Sequence, residues 1–320
     1  MTKPKIGVNT STRGCMTTRA AYKSVAQAAD KHGFGVITVN DHVVVPRDIG
    51  SRYPYSEDAK WAGAAGGHNF DVLAMLAFLA GCTDRIGLMS SVMVVPHRQP
   101  ILAAKMLTTI DVMSEGRLIV GCGAGWMKEE FEALETKPYE DRGRVTDEYI
   151  EAFKALWTQE APAYKGKYVT IDNLMFEPKP VAKPHPPIWI GGESMPARRR
   201  AAKHGDAWYP GSINPQFRLD TPERLGSAFA EVQKMAQAAE RDPASLVVNY
   251  VVLTPVDWTA RKGHDTPRRI FTGSSADMAA DIAAFAKVGV KHINLTFQAA
   301  TLQESLDRMQ RFAEEVLAKV

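Results

Sequence analysis

The sequence has few cysteines and no long apolar run, and these shortages exclude several classes of protein. Its three cysteines are Cys15, Cys82 and Cys122, and their spacing matches neither a metal site nor a redox pair. We therefore expect no disulfide framework, and a reducing cytoplasm suits the chain. The apolar runs fall well short of the ~20 residues that span a bilayer, and the first residues carry no signal-peptide pattern. The sequence predicts a cytoplasmic protein without a membrane partner.

An excess of charge of one sign is also missing. The 39 lysines and arginines nearly balance 36 acidic residues, which leaves a formal net charge of +3 spread along the whole chain. Without a basic stripe, a nucleic-acid partner is not expected. The metalloprotease, paired CxxC, nucleophile-elbow and Walker motifs are absent, so we predict no metal ion. The 45% hydrophobic content is ample for a large core and excludes a disordered chain.

The sequence does contain a repeated alternation of short β-branched runs and longer amphipathic segments. Gly35–Asn40 is a nearly continuous apolar run, which is typical of a strand buried on both faces. About eight strand–helix units follow one another, and eight is the number that closes a parallel barrel. We predict an α/β fold, a (β/α)8 TIM barrel, in a single domain over residues 1–320. Surplus residues form insertions after strand 2, helix 4 and strand 7: Pro46–Asn69, Thr158–Pro186 and Thr254–Ser274.

A doubly wound parallel sheet is the competing architecture. Its phosphate-binding fingerprint, Gly-x-Gly-x-x-Gly after the first strand, is absent at Asn9–Gly14. The barrel is therefore favoured, and in a barrel the reactive groups lie on the loops after the strands.

The loop after the second predicted strand begins with Asp41 and His42. An imidazole at a strand end can move a proton near neutral pH, and an adjacent carboxylate can orient it. We predict both as catalytic residues. The alternative is a structural Asp-His turn that closes the strand.

Two glycine-rich loops follow later strands. One contains Gly123, Ala124, Gly125 and Trp126, and its bare backbone lets N–H groups approach an anion or a flat ring. Tight packing of a strand exit under a helix would require the same glycines.

The second loop contains Gly191, Gly192, Glu193 and Ser194 and leads into a helix that carries Arg198. Amide donors, a helix dipole, a hydroxyl and an arginine converge here, which predicts a cradle for a phosphate. The alternative is that Ser194 only caps the helix and the arginine faces solvent.

Five segments together resemble the bacterial-luciferase-like superfamily, TIM-barrel oxidoreductases that use FMN or the deazaflavin F420. They are Val39–Pro46 (VNDHVVVP), Ser90–Pro100 (SSVMVVPHRQP), Asp111–Trp126 (DVMSEGRLIVGCGAGW), Pro187–Ser194 (PIWIGGES) and Ala201–Asp206 (AAKHGD). The similarity is closest to the short members described as F420-dependent. It implies a flavin-type oxidoreductase or monooxygenase that acts on a small organic substrate. The alternative is a barrel that binds the cofactor without turnover.

The resemblance also implies roles for particular residues. His42 matches the active-site histidine, with Asp41 beside it against the cofactor ring, and Tyr209 matches a position that lines the ring. A non-proline cis peptide behind the ring is implied at Ser90–Ser91 or Ser91–Val92. The phosphate segment of the family falls on the cradle described above.

Two departures from the family pattern bear on the cofactor and the substrate. Luciferases place an arginine for the FMN phosphate where this chain has Ala124, which removes one charge-assisted contact. Members that oxidise sugar phosphates carry an acidic residue where Trp126 stands, so a different substrate is expected. Tyr53, Trp61 and His68, in the first insertion, are candidate substrate residues, and a separate flavin or F420 reductase and a homo-oligomer are the partners implied.

Overall fold

Eight parallel strands form a closed barrel in the computed structural model, which describes residues 3–64 and 66–319. The strands are β1 (Lys5–Asn9), β2 (Val36–Val39), β3 (Gly87–Ser90) continued by β4 (Met93–Val94), β5 (Leu118–Gly123), β8 (Ile188–Gly191), β9 (Ala207–Tyr209), β10 (Val247–Pro255) and β11 (Val290–Thr296). Each strand pairs in parallel with its neighbours. The ring closes because β1 pairs with β11 while β3 and β4 both pair with β5. The predicted barrel is confirmed.

Helices alternate with the strands on the outside of the barrel. The helices are α1 (Arg19–Lys31), α2 (Val72–Ala80), α3 (Pro100–Met113), α4 (Lys128–Ala133), α5 (Arg142–Thr158), α6 (Met195–His204), α7 (Pro222–Ala238), α8 (Ser275–Lys287) and α9 (Leu302–Glu315). Short 3-10 turns lie at Gly14–Met16, Ala62–Ala64, Val95–His97, Tyr139–Asp141, Pro243–Ser245 and Leu317–Lys319. The sequence sets several helix starts: the carboxylate of Asp71 caps α2, and Pro100 occupies the first turn of α3.

The three insertions differ in structure. The first, between β2 and α2, holds only the turn at Ala62–Ala64 among its described residues. The second contains an antiparallel hairpin of β6 (Tyr164–Lys165) and β7 (Thr170–Ile171), as its sequence suggested. The third, between β10 and α8, is an irregular loop tied by an isolated bridge from Asp257 to Thr272.

The core has two parts, as barrel geometry requires. The larger part fills the layer between strands and helices, and Trp157 and Trp208 are its largest fully buried side chains. The smaller part lies among side chains of the strands and includes Met89, Trp189 and Tyr209. Within residues 3–64 and 66–319, no helix is both long and apolar enough to cross a bilayer.

Candidate active site

His42 is held by a buried carboxylate, and that carboxylate belongs to Glu130 of α4. Nδ1 of His42 lies 2.8 Å from Oε2 of Glu130, and Glu130 is 1% exposed. The other oxygen of Glu130 accepts hydrogen bonds from the backbone N–H groups of Val43 (2.7 Å) and Val44 (3.3 Å). Burial alone would raise the pKa of Glu130, but its interactions with His42, His97 and the Val43 N–H together outweigh burial and hold that pKa below its usual value. An ionised Glu130 accepts a hydrogen bond from the Nδ1–H group and leaves Nε2 of His42 for other partners.

Asp41 does not orient His42, and that part of the prediction is wrong. Both oxygens of Asp41 bind the guanidinium of Arg98, at 2.7 and 2.9 Å, and one also accepts from the N–H of Val94 at 2.8 Å. Arg98 also donates a hydrogen bond to Asp71, the N-cap of α2, at 2.7 Å. Because successive side chains at a strand end point to opposite sides, Asp41 and His42 face different surroundings. Asp41, 4% exposed, joins β2 to β4 and α2.

Four rings meet at the carboxyl ends of the strands, and we name His42, Tyr53, Trp61 and Trp126 the aromatic cluster. Ring centroids are 4.4 Å apart for His42 and Trp61, 5.1 Å for Tyr53 and Trp126, and 5.8 Å for the two tryptophans. Of the predicted substrate residues, Trp61 therefore contacts the predicted catalytic histidine, and Tyr53 lies against the two tryptophans. The third, His68, is exposed, and its backbone oxygen accepts a bond from Thr12, so the structure does not place its ring in the cluster.

Residues 43–64 and 66–68, which we name the mouth-crossing segment, run across the mouth of the barrel. The contacts that attach it to neighbouring elements include Gly50 N–H to Glu129 (2.8 Å), Tyr55 hydroxyl to Glu193 (3.3 Å) and Arg218 to Glu57 (2.6 Å). These contacts reach the loops after β5, β8 and β9. The segment thus covers the side of the barrel on which the aromatic cluster lies.

The bulge between β3 and β4 contains a cis peptide at Ser91–Val92, one of the two positions that the resemblance implied. The side chain of Val92 lies between two glycines of neighbouring strands. A Cβ on Gly123 would lie 2.6 Å from Val92, and a Cβ on Gly191 would lie 2.9 Å from it. Both positions require glycine because any side chain there would displace Val92.

The serines of this bulge have different surroundings. Ser90 is fully buried, and its hydroxyl exchanges hydrogen bonds with the backbone of Gly121, both at 3.0 Å. It joins β3 to β5 and has no surface left for a cofactor, which corrects the prediction that it binds one. Ser91 is half-buried, with its hydroxyl 3.3 Å from the Tyr209 hydroxyl. The Tyr209 hydroxyl also accepts a hydrogen bond from Asn294 at 2.8 Å. It therefore links the bulge to β11.

The predicted phosphate cradle is only partly available. Glu193 is 2% exposed, and its carboxylate accepts bonds from Gly211 N–H and Asn214, both at 2.7 Å. Burial raises the pKa of Glu193 despite these bonds. Arg198 donates to the Glu193 carbonyl (2.9 Å) and to Glu231 (2.7 Å), so two of its donors are engaged. These bonds hold the loop in place, and the prediction that the two residues bind the phosphate stays a prediction.

Gly192 and Ser194 remain suited to hold an anion. Gly192 has a φ of +101°, a backbone conformation that favours glycine. Ser194 caps α6 through a long contact of 3.5 Å to the Ala197 N–H, and the first N–H groups of a helix have no intrahelical acceptor. These donors lie at the N-terminus of α6, the end of the helix at which the helix dipole favours negative charge.

The loop after β5 approaches the same mouth. Gly125 has a φ of +82°, and a Cβ there would lie 2.7 Å from Val94. The backbone oxygen of Trp126 accepts from the Tyr139 hydroxyl at 2.9 Å, which fixes the turn that presents its indole. Ala124, half-buried, supplies no charged group. In the part of the chain that the structure describes, no group of three or more His, Cys, Asp or Glu is placed to hold a metal ion.

A closed barrel with glycine-lined strand ends, a held histidine and a ring cluster at one mouth belongs to the class of α/β-barrel proteins whose site lies at the carboxyl ends of the strands. Residues 2–257 match the model of a family described as luciferase-like monooxygenase. An uncharacterised protein of Mycobacterium tuberculosis is 30% identical over 279 residues, which cover 86% of this chain and 93% of that protein. The chain belongs to the luciferase-like monooxygenase family.

Two further similarities connect the chain with proteins whose cofactors are named. An FMNH2-dependent dimethylsulfone monooxygenase of Pseudomonas putida is 32% identical over 162 residues, which cover 50% of this chain and 44% of that protein. The solved structure of an F420-dependent secondary alcohol dehydrogenase with an F420–acetone adduct has a TM-score of 0.75 at 19% identity and covers 99% of both chains. At that identity, the second similarity concerns the fold alone.

Sequence reasoning missed the partners of the site residues. Glu130 lies among Glu129 and Glu132 on α4, and nothing in that run distinguishes the glutamate that contacts His42. Arg98 stands inside a segment that carried the family resemblance, but its pairing with Asp41 depends on how β2 and β4 meet. Only long-range packing brings these groups together.

Proposed function

We propose that the chain is a flavin-type oxidoreductase that uses reduced FMN or coenzyme F420 on a small organic substrate. The observation that carries this proposal is that His42, fixed by Glu130, lies with the other three rings of the aromatic cluster at the mouth of the barrel. The named cofactors of the relatives support it. A separate reductase that supplies the reduced cofactor is part of the proposal.

The residues present fit a planar ring with a phosphate tail. A planar ring can lie against an apolar surface, and the half-buried side chain of Val92, which fills the space over Gly123 and Gly191, supplies one. The tail needs donors, and the N-terminus of α6 with the Ser194 hydroxyl supplies them. The carboxylate of Glu193 is bound to Gly211 and Asn214 and therefore does not occupy these donors.

When bound, the reduced cofactor supplies a hydride or, with oxygen, an oxygen atom, and the protein supplies position and electrostatics. His42 presents Nε2 toward reactants, because its Nδ1–H is held by Glu130. From there it gives or takes the proton that accompanies the redox step. The aromatic cluster keeps water from the reacting atoms, which strengthens the electrostatic interactions of the site.

The test mixes purified protein with FMN and, separately, with F420, and records the visible spectrum and the consumption of oxygen or of a substrate panel. We expect one cofactor to bind and the His42→Asn variant to bind it equally while losing turnover. Binding without turnover, and without any effect of His42→Asn, would indicate a barrel that only stores the cofactor. Binding of neither would contradict the proposal.

A further inference from the structure

Arg13 places a positive charge beside the aromatic cluster. It follows β1 by four residues, and its backbone carbonyl is fixed by bonds from Gln298 Nε2 (2.7 Å) and Met16 N–H (3.1 Å). Its guanidinium carbon lies 5.3 Å from the ring centroid of Trp61. Trp61 in turn contacts His42, with ring centroids 4.4 Å apart. Arginine, indole and imidazole therefore form one continuous surface at the mouth.

The position of the guanidinium is set by the surrounding residues. A Cβ on Gly63 would overlap it, so glycine at that position makes room for it. Burial raises the pKa of Tyr53, and the charge of Arg13 opposes that rise, which puts the guanidinium within electrostatic reach of the phenol. Arg13 itself is only half-buried, so part of the group remains open to a ligand.

This arginine differs from three other arginines around the mouth. Arg98, Arg198 and Arg218 each form an ion pair with a carboxylate at 2.6–2.7 Å. Arg13 has no carboxylate within ion-pair distance among residues 3–64 and 66–319, and its buried Nε donates to no acceptor there. A charge that is partly removed from water without a partner is unfavourable, and a bound anion would relieve that penalty.

We propose that Arg13 is the anion-binding residue of the substrate site and that the substrate is a carboxylate attached to a planar apolar body. The planar part lies against Trp61, Trp126 and Tyr53, and the carboxylate pairs with the guanidinium. The fork of an arginine matches a carboxylate with two parallel hydrogen bonds. This assignment rests on the proposed function, because it names the substrate class of the same site.

The acidic groups nearby do not compete for Arg13. Glu130 is committed to His42 and two backbone N–H groups, Asp41 to Arg98, and Glu193 to Gly211 and Asn214. The remaining surface is aromatic and cationic. It therefore favours an anionic aromatic compound over a neutral or cationic one.

The test compares two matched probes, phenylacetate and its neutral amide phenylacetamide, by calorimetric titration into the protein with and without oxidised FMN or F420. Phenylacetate should bind about tenfold more tightly, and the preference should weaken at high salt. Arg13→Gln should reduce the ratio of the two affinities to about one, and Arg13→Lys should retain part of it. Arg52→Gln, which removes an exposed arginine of the mouth-crossing segment, is the control and should keep the full ratio.

Equal binding of the two probes by the unaltered protein would overturn the assignment, as would a ratio that survives Arg13→Gln. Weaker binding of FMN or F420 in Arg13→Gln, with the probe ratio unchanged, would assign the arginine to the cofactor instead. The circular dichroism spectrum of each variant checks that it is folded. If neither cofactor binds but the carboxylate preference and its loss in Arg13→Gln are seen, the proposed function fails while the anion site stands.

Discussion

A single buried carboxylate decides what His42 can do. Glu130 accepts a hydrogen bond from Nδ1–H of His42, and its second oxygen accepts bonds from the backbone that follows His42, so the ring and the loop are fixed together. Partners of this kind orient a histidine and set its tautomer. Glu130 is thus a positioning residue that acts through His42.

The Glu130→Gln variant tests that role. The amide keeps the size of the side chain but removes its charge, so turnover should fall about 10- to 100-fold. Cofactor affinity should stay within about twofold, because Glu130 contacts the histidine and not the ring surface at Val92. Glu132→Gln, on the exposed face of the same helix, is the matched control. Equal losses of affinity and turnover would mean that Glu130 only supports the fold.

Buried histidines make the fold sensitive to acid. Burial lowers the pKa of His97, His204 and His292 to about 4, whereas an unfolded chain binds these protons near pH 6.5. The unfolded state therefore holds more protons between pH 6.5 and 4. The contribution of these neutral histidines to the free energy of unfolding is fully present above pH 6.5 and is lost as the pH falls toward 4.

His292→Gln isolates one of these contributions. The free energy of unfolding is measured in urea at pH 7 and at pH 5, and the decrease between them should be smaller in the variant by up to about 2 kcal/mol. His264→Gln, at an exposed position, should leave the decrease unchanged. An identical decrease in His292→Gln and the unaltered chain would show that His292 takes up its proton in the folded state as well.

At the scale of elements, the bulge after β3 fits only because its neighbours lack side chains. Val92 fills the space over Gly123 and Gly191. Gly123→Ala should lower the free energy of unfolding by about 1–3 kcal/mol, since the added methyl forces Val92 to move. It should also weaken cofactor binding. Gly81→Ala, where a Cβ meets only ordinary contacts beyond 3.5 Å, should change stability by less than about 0.5 kcal/mol.

Two side-chain contacts of the mouth-crossing segment can be removed together, so a partial release of the segment should be measurable. The double variant Tyr55→Phe with Arg218→Ala removes the bond to Glu193 and the ion pair with Glu57. Trypsin cleavage after Arg47, Arg52 or Lys60 should then become several-fold faster, because proteolysis follows local opening. Tyr164→Phe, in the distant hairpin, serves as control. Unchanged cleavage would mean that the remaining contacts, among them the bonds from Gly50 and Ser51 N–H to Glu129, hold the segment.

For the molecule as a whole, periodicity predicted the barrel because strands buried on both faces alternate with amphipathic helices. The limits of α3 and β9 agree with the sequence, since proline and short apolar runs mark them. The positions of His42 and the glycine loops were also predictable, because the site of a barrel follows its strands. The pairings of Asp41 with Arg98 and of His42 with Glu130 were not, because they join residues 57 and 88 positions apart.

The most direct test of the whole account compares each cofactor with its phosphate-free ring compound, riboflavin for FMN and the corresponding deazaflavin for F420. Equilibrium titration should show one cofactor bound at one site per chain, with the phosphate-free compound at least about tenfold weaker. Ser194→Ala should reduce the difference in affinity between the cofactor and its phosphate-free compound. Equal affinity with and without phosphate, or no binding at about 100 μM, would contradict a ring held at the barrel mouth by its phosphate tail.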